Sequence, residues 1–403
     1  MLKSTARTSQ NWYIHLLYSR KDFNECLKVI EEQLKACNGQ SDYALYIKAL
    51  ILRQQGRIEE SLTTFQAALC MNPLNVNNLK QVGRSLFLIG KHKTALDVLE
   101  EAEKLAPDDR EILHNKGMCH LYLKQYDVAI SSFEDANSIL RHEQTYMQLG
   151  RCYRLSGSDE NALETYLEAE ELSPESSELL TTIGLLYLKL GNNSKAFEYL
   201  GKSLSYDAKN PKTILAAGSI IQDNQDMDVA LVKYRVAAVR TPNSPQLWNN
   251  VGMCFFGKGK YVAAISCLKR AVYLSPFEWI ISYNLGIVNL SIGQFASAFH
   301  YFSTAINLHP QYSRAYMYLA VALNKLEDFD NACSAYDKAI ELGEDYLIHL
   351  NYAVTLALND ETERAAQHYE KFKELFDSLE DTSEVDEDVG TQANLLKMTL
   401  GVA

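Results

Sequence analysis

The stretch Leu247-Trp-Asn-Asn-Val-Gly-Met-Cys-Phe-Phe-Gly-Lys258, continued by Tyr261-Val-Ala-Ala-Ile-Ser-Cys-Leu-Lys-Arg-Ala271, holds one complete helical hairpin. Trp248, Val251, Gly252 and Phe255 recur at the spacing of a single helical face. Gly259 accommodates the positive φ that ends such a helix. Tyr261, Ala264, Leu268 and Ala271 form the buried face of a second helix, which Pro276 stops. Gly252 and Ala264 then fall where the two helices cross. Small side chains there let the backbones approach, while Trp248 and Leu268 fill the flanks.

Outward from Gly252 the same small position recurs. Ala49, Gly83, Gly117, Gly150, Gly184, Gly218, Gly252, Gly286, Ala320 and Ala353 are 33 or 34 residues apart. A period of about 34 residues is that of the tetratricopeptide helix–turn–helix repeat. The fold expected is therefore all-α, a tetratricopeptide-repeat (TPR) right-handed superhelical solenoid of about eleven hairpins. Ten clear repeats span 42–379. Residues 11–41 give a degenerate capping repeat, in which Trp12, Leu17, Phe23, Cys26 and Ile30 supply the apolar face and Ile14 takes the small position. Residues 1–10 read as a flexible N-terminal tail and 380–403 as an acidic, mostly disordered C-terminal tail. Asp377 to Asp388 carries seven acids in twelve residues, a solvated run or a segment that folds onto a basic partner. Leu395, Leu396, Met398 and Leu400 beyond it suit a short docking helix. The repeat around Gly218 has Asn224-Gln225-Asp226 where its neighbours have glycine, which points to a bend or irregular packing there.

Composition narrows the chemistry. A net charge of −12 over 403 residues opposes nucleic-acid binding, which needs a positive stripe to displace counterions. The eight cysteines form no C-x-x-C pair, and no histidine cluster has zinc-ligand spacing, so structural thiols in a reducing compartment are expected. No apolar run is long enough for a transmembrane segment, and the first ten residues lack the apolar core of a secretory signal. Gly252 to Gly259 imitates a P-loop, but Gly259 stands where the magnesium-binding hydroxyl belongs and the segment is helical. No catalytic signature is present, so neither an enzyme nor a cofactor is expected.

Two features suit binding instead. Asn115, Asn250, Asn284 and Asn351 each lie two residues before the small residue of their repeat. Asparagine in a TPR groove can grip an extended peptide through both its donor and its acceptor; the other reading is a merely solvated face. Gln81, Gln148, Thr182, Ala216 and Tyr318 interrupt the series. Tyr273, Phe277 and Trp279 cluster around Pro276, either as an interface edge or as packing between repeats. A co-chaperone that clamps a carboxylate-terminated peptide is the alternative function; Lys80, Arg84 and Lys116 supply part of the cation set it needs.

The segments between the small residues carry longer motifs. They include Asn11-Trp-Tyr-Ile-His-Leu16 with Arg20-Lys-Asp-Phe23, and Asn78-Leu-Lys-Gln-Val-Gly-Arg-Ser-Leu-Phe-Leu88 with Gly90-Lys-His-Lys93. Glu178-Leu-Leu-Thr-Thr182, Ile214-Leu-Ala-Ala-Gly-Ser219 and the stretch from Leu247 to Ala271 complete the set. Over about residues 10–375 they resemble the Bardet–Biedl syndrome 4 family. That resemblance implies a scaffold subunit of the BBSome, a coat-like complex that moves membrane proteins to and from cilia. The partners it implies are a second TPR subunit, β-propeller subunits and a small extended subunit, with indirect membrane recruitment through an Arf-like GTPase. It also implies links to centriolar satellites and dynein–dynactin, and a cytoplasmic location at the cilium, basal body and centrosome. It brings no catalytic residues.

Overall fold

A computed structural model describes residues 10–378 and 387–400, and all regular structure among them is helical. The chain forms two compact units, Met1–Tyr206 and Asp207–Ala403, a boundary that the uninterrupted sequence period does not mark. The first unit holds α1 (Asn11–Ser19), α2 (Phe23–Ala36), α3 (Asp42–Gln54), α4 (Ile58–Met71), α5 (Val76–Leu88) and α6 (His92–Leu105). It continues with α7 (Arg110–Tyr122), α8 (Tyr126–Ile139), α9 (Glu143–Ser156), α10 (Asp159–Leu172), α11 (Ser177–Lys189) and α12 (Asn193–Tyr206). The second unit holds α13 (Pro211–Asp223), α14 (Met227–Arg240), α15 (Pro245–Gly257), α16 (Tyr261–Leu274), α17 (Trp279–Ser291) and α18 (Phe295–Leu308). It ends with α19 (Ser313–Lys325), α20 (Phe329–Leu342), α21 (Tyr346–Leu358), α22 (Thr362–Asp377) and α23 (Glu387–Leu400). From α1 to α22 each odd-numbered helix is the first of a hairpin and the next even-numbered helix the second.

The hairpins share one packing rule. The small residue of the first helix meets the side chain sixteen positions later, at the centre of the second. A Cβ added to Gly286 would lie 2.6 Å from Phe302, and one added to Gly150 would lie 2.6 Å from Tyr166. Gly83 and Gly252 meet Leu99 and Leu268 in the same way, each at 2.8 Å. Alanine twelve residues after the small position (Ala95, Ala129, Ala162, Ala264, Ala298) is fully buried at each crossing. The first two hairpins lack that alanine and use a small donor instead. Ser61 Oγ donates to the Ala49 carbonyl at 2.7 Å, and Cys26 Sγ donates to the Ile14 carbonyl at 3.6 Å. The degenerate first hairpin therefore keeps the register, with Ile14, Leu17, Cys26 and Ile30 buried. Trp12, expected on the apolar face, is instead largely exposed.

Local chemistry sets the helix ends. Several first helices start on a side-chain cap: Ser41 accepts from the Ala44 N–H, Asp109 from Glu111 and Ser244 from Leu247. Within the hairpins the chain turns through one left-handed residue. Glycine fills it at Gly56, Gly90, Gly157, Gly191, Gly259 and Gly293, but Lys21, Lys124, Gln225, Glu327 and Asp360 take the same φ without glycine. The expected bend at Gln225 is thus absent from the turn itself. Gln225 has φ 64°, and the Asp226 N–H still donates to the Ile221 carbonyl at 3.1 Å.

Residues 1–9, 379–386 and 401–403 lie outside the described residues, and with them most of the N-terminal tail and much of the acidic run. Residues 387–400, read from sequence as part of a mostly disordered tail, form α23. Its Val389 and Leu396 are buried against Leu350, Ala353, Tyr369 and Phe372 of the last hairpin, while Leu395 and Met398 face solvent. No described helix is long and apolar enough to cross a membrane.

Candidate partner interface

The first helices carry the polar positions singled out in the sequence, and the two units treat them differently. In the second unit, Asn250 on α15 and Asn284 on α17 join one network through Asn249, a residue that the sequence pattern did not single out. Asn249 Nδ2 donates to Asn250 Oδ1 at 3.2 Å, and Asn284 Nδ2 donates to Asn249 Oδ1 at 2.9 Å. Asn250 Nδ2 donates to the hydroxyl of Tyr234 at 3.4 Å, and Tyr234 in turn reaches Gln222 Oε1 at 3.5 Å. Much of this face's hydrogen-bonding capacity is thereby used internally. Asn351 lies apart on α21, where its Nδ2 donates to the Leu347 carbonyl at 2.8 Å. It borders a pocket of about 340 Å³ between α19, α21 and α23, lined by Val321, Val354, Leu358 and Leu395.

In the first unit the equivalent positions are Gln81 on α5, Asn115 on α7 and Gln148 on α9. Asn115 opens on a pocket of about 240 Å³ lined also by Lys80, Gln81, Arg84, Arg110 and His114. Gln148 Oε1 is buried and accepts no hydrogen bond among the described residues. Gln81 Oε1 accepts from Arg53 Nη2 at 2.5 Å, while the other terminal nitrogen of Arg53, Nη1, is buried without a partner. Burial, and then the nearby Arg84 charge, pull the Arg53 guanidinium down to about 10. Burial, and then Arg110, hold the His114 imidazole down at about 4, so it is neutral at pH 7. Its Nδ1 lies 3.1 Å from the hydroxyl of Thr145.

Two lysines offered by the sequence for a carboxylate clamp are already neutralised. Lys80 Nζ lies 2.8 Å from Asp109 and 3.0 Å from Glu111, and Lys116 Nζ lies 2.7 Å from Glu103. The cations left in the pocket without an ion pair among the described residues are Arg84 and Arg110. No cluster of three or more potential metal ligands occurs among the described residues. Cys26, Cys119, Cys152 and Cys254 are buried, and burial pushes the Cys119 thiol up to about 12. Such thiols are poor nucleophiles at neutral pH.

The aromatic edge divides. Trp279 stacks on His309 with ring centroids 4.8 Å apart and lies 4.7 Å from Tyr312, so it packs one repeat on the next. Tyr273 and Phe277 are 86% and 83% exposed. Sequence reasoning missed their neighbours on the second helices, Val239 at 82% and Val262 at 86% exposure. Val239 and Tyr273 are 34 residues apart, so they hold the same outer position in consecutive repeats. An apolar residue recurring at an outward-facing phase is the signal that would have found them.

Family models described as Tetratricopeptide repeat match residues 43–73, 111–139, 143–176, 177–210 and 245–278, and another matches 283–346. The chain is 52% identical over 380 residues to the BBSome complex member BBS4 of Bos taurus, covering 94% of this chain and 73% of that protein. It is 50% identical over 395 residues to BBSome complex member BBS4 of Xenopus tropicalis, covering 98% and 77%. The chain belongs to the BBS4 family. A chain in the crystal structure of the APC/C hetero-tetramer Cut9-Hcn1 is also similar in fold, with TM-score 0.50, 13% identity and coverage of 96% and 95%. The BBS4 match and the eleven hairpins agree in extent, because the aligned length takes in both compact units.

Proposed function

We propose that this protein is a non-catalytic scaffold subunit of the BBSome and serves the trafficking of membrane proteins to and from cilia. The observation that carries the reading is identity of 50–52% to BBSome members, sustained over nearly the whole chain. A repeat array offers two long surfaces, and each has chemistry suited to a partner. The first-helix face presents amides and cations that can hold an extended segment, the role expected for a small extended subunit. The second-helix face carries Val239, Val262 and Tyr273, with Phe277 in the loop that follows, and these suit the flat surface of a globular subunit such as a β-propeller or a second TPR protein. Recruitment to membranes through an Arf-like GTPase, and links to centriolar satellites and dynein–dynactin, follow from the family likeness and fit a chain whose own described helices span no membrane.

Affinity purification of the tagged full chain from ciliated cells, read by mass spectrometry, tests this. Stoichiometric recovery of the other BBSome subunits is the expected result. Recovery of chaperones with C-terminal acidic motifs in their place would favour the co-chaperone reading, which the pairing of Lys80 and Lys116 with carboxylates disfavours.

A further inference from the structure

We propose that the first-helix face of the first unit, from α3 to α9, recognises an internal acidic segment of a partner protein in extended conformation. Arg53 and Arg84 hold its carboxylates, and Gln81, Asn115 and Gln148 hold its main chain. This rests on the partner-holding role given above to the first-helix face, and it adds the chemistry of what is held.

The cations carry the argument. Arg53 spends one nitrogen on Gln81 and leaves Nη1 buried and unmet, with its guanidinium carbon 5.5 Å from the centre of the Phe65 ring. Arg84 repels it and makes no ion pair among the described residues. Two guanidiniums on successive first helices, one of them partly dehydrated, are unfavourable until an anion arrives. The nearby acids do not serve: Asp109 and Glu111 are drawn to Lys80, and Glu103 to Lys116. The guanidinium fork matches a carboxylate in two parallel hydrogen bonds.

The amides set the form of the ligand. Gln81, Asn115 and Gln148 repeat at one position on three successive first helices. The Asn115 side chain makes no hydrogen bond among the described residues and opens on the pocket, and Gln148 Oε1 is buried with an empty acceptor. An extended main chain offers an N–H and a carbonyl at every residue, which complements such a row. The row continues through α7 and α9 beyond the arginines, so the bound chain continues as well. That favours a segment within a chain over a chain terminus.

A photo-crosslinking amino acid placed at Leu88, which is exposed and borders the pocket, tests the proposal in the assembled complex. The expected attachment is to a partner segment with several Asp or Glu residues beside the crosslinked position. Arg84→Glu, at an exposed residue, should cut the crosslink yield about tenfold or more. Lys93→Glu makes the same charge change on the outer helix α6 and should leave the yield unchanged. Lysines placed at the partner's acids should restore the yield with Arg84→Glu. Attachment to a neutral or basic segment, to a chain terminus, to nucleic acid or to lipid would overturn the proposal. So would an unchanged yield with Arg84→Glu, or no crosslink in a complex that assembles. Absence of the other subunits from the unmodified preparation would instead count against the scaffold reading.

Discussion

The two units are built on the same hairpin, yet their first-helix faces are in opposite states. In the second unit Asn249, Asn250, Asn284 and Tyr234 bond to one another. In the first, among the described residues, Gln148 Oε1 and Arg53 Nη1 are buried without a partner, and the half-buried Asn115 amide opens on a pocket. Amides at the same repeat position thus differ: Asn250 and Asn284, and also Gln81 through Arg53, tie neighbouring helices together, whereas the Asn115 amide and Gln148 Oε1 have no partner among the described residues. A buried polar group without a partner costs about 1–3 kcal/mol. A fold that retains two on one face gives up stability there, which is the expected signature of a binding surface.

The comparison holds only if the cores beneath the two faces are equivalent, and the largest effect tests that. Gly150→Leu and Gly286→Leu each drive a side chain into a buried ring, Tyr166 or Phe302. Each should lower unfolding stability by about 3 kcal/mol, read by denaturant titration. A much smaller cost in one unit would show that the difference lies in the core and not on the surface. Next comes Asn249→Ala, which strands both Asn250 and Asn284 and should cost about 1–2 kcal/mol. Gln148→Leu removes a buried acceptor that has no partner, and should raise stability by about 1 kcal/mol.

Acid should weaken both units through buried histidines, His114 in the first and the paired His349 and His368 in the second. Burial holds His114 and His368 down at about 4, well below the ordinary imidazole. The unfolded chain takes up these protons near pH 6.5, and the native chain does so only near pH 4. Stability is therefore full above pH 6.5 and is lost as pH falls through that window. After allowance for partial exposure, each contributes about 1 kcal/mol. Replacing either by glutamine should flatten the fall of melting temperature between pH 6.5 and 4. The smallest effect is expected at Gln225, whose left-handed φ suits glycine. Gln225→Gly should raise stability by up to about 1 kcal/mol, and a loss would mean that the turn is not strained.

The fold was legible because the crossing leaves a mark that no other contact leaves. Gly83 admits nothing larger beside Leu99, and Gly252 nothing larger beside Leu268, so the period of small residues is the period of the backbone. The degenerate first hairpin could be read for the same reason, since Ile14, Cys26 and Ile30 keep the spacing. The binding faces were less legible. Asparagine was the visible signal, but whether an amide is free depends on residues one turn or one repeat away, as Asn249 and Arg53 show. Gln81 and Gln148 looked like breaks in a ladder, and in the structure they belong to the same row as Asn115. Trp279 and Tyr273 have the same chemistry in sequence; only the packing of His309 and Tyr312 separates them. The C-terminal docking helix was legible in part: of the apolar residues that marked it, Leu396 is buried and Leu400 partly buried on the last hairpin, beside Val389 and Ala393, while Leu395 and Met398 face solvent.

The most direct test of the open and closed faces pairs two triple variants in the assembled complex. Gln81→Ala/Asn115→Ala/Gln148→Ala removes the first unit's row, and Asn249→Ala/Asn250→Ala/Asn284→Ala removes the second unit's network. Quantitative mass spectrometry of each tagged variant, alongside its melting temperature, reads both retention and stability. The first variant should lose only the contribution of the Gln81–Arg53 hydrogen bond, about 1 kcal/mol, and selectively lose a subunit held in extended form. The second should lose stability with no selective loss. The reverse pattern, or an unaltered subunit profile for the first variant, would contradict the account.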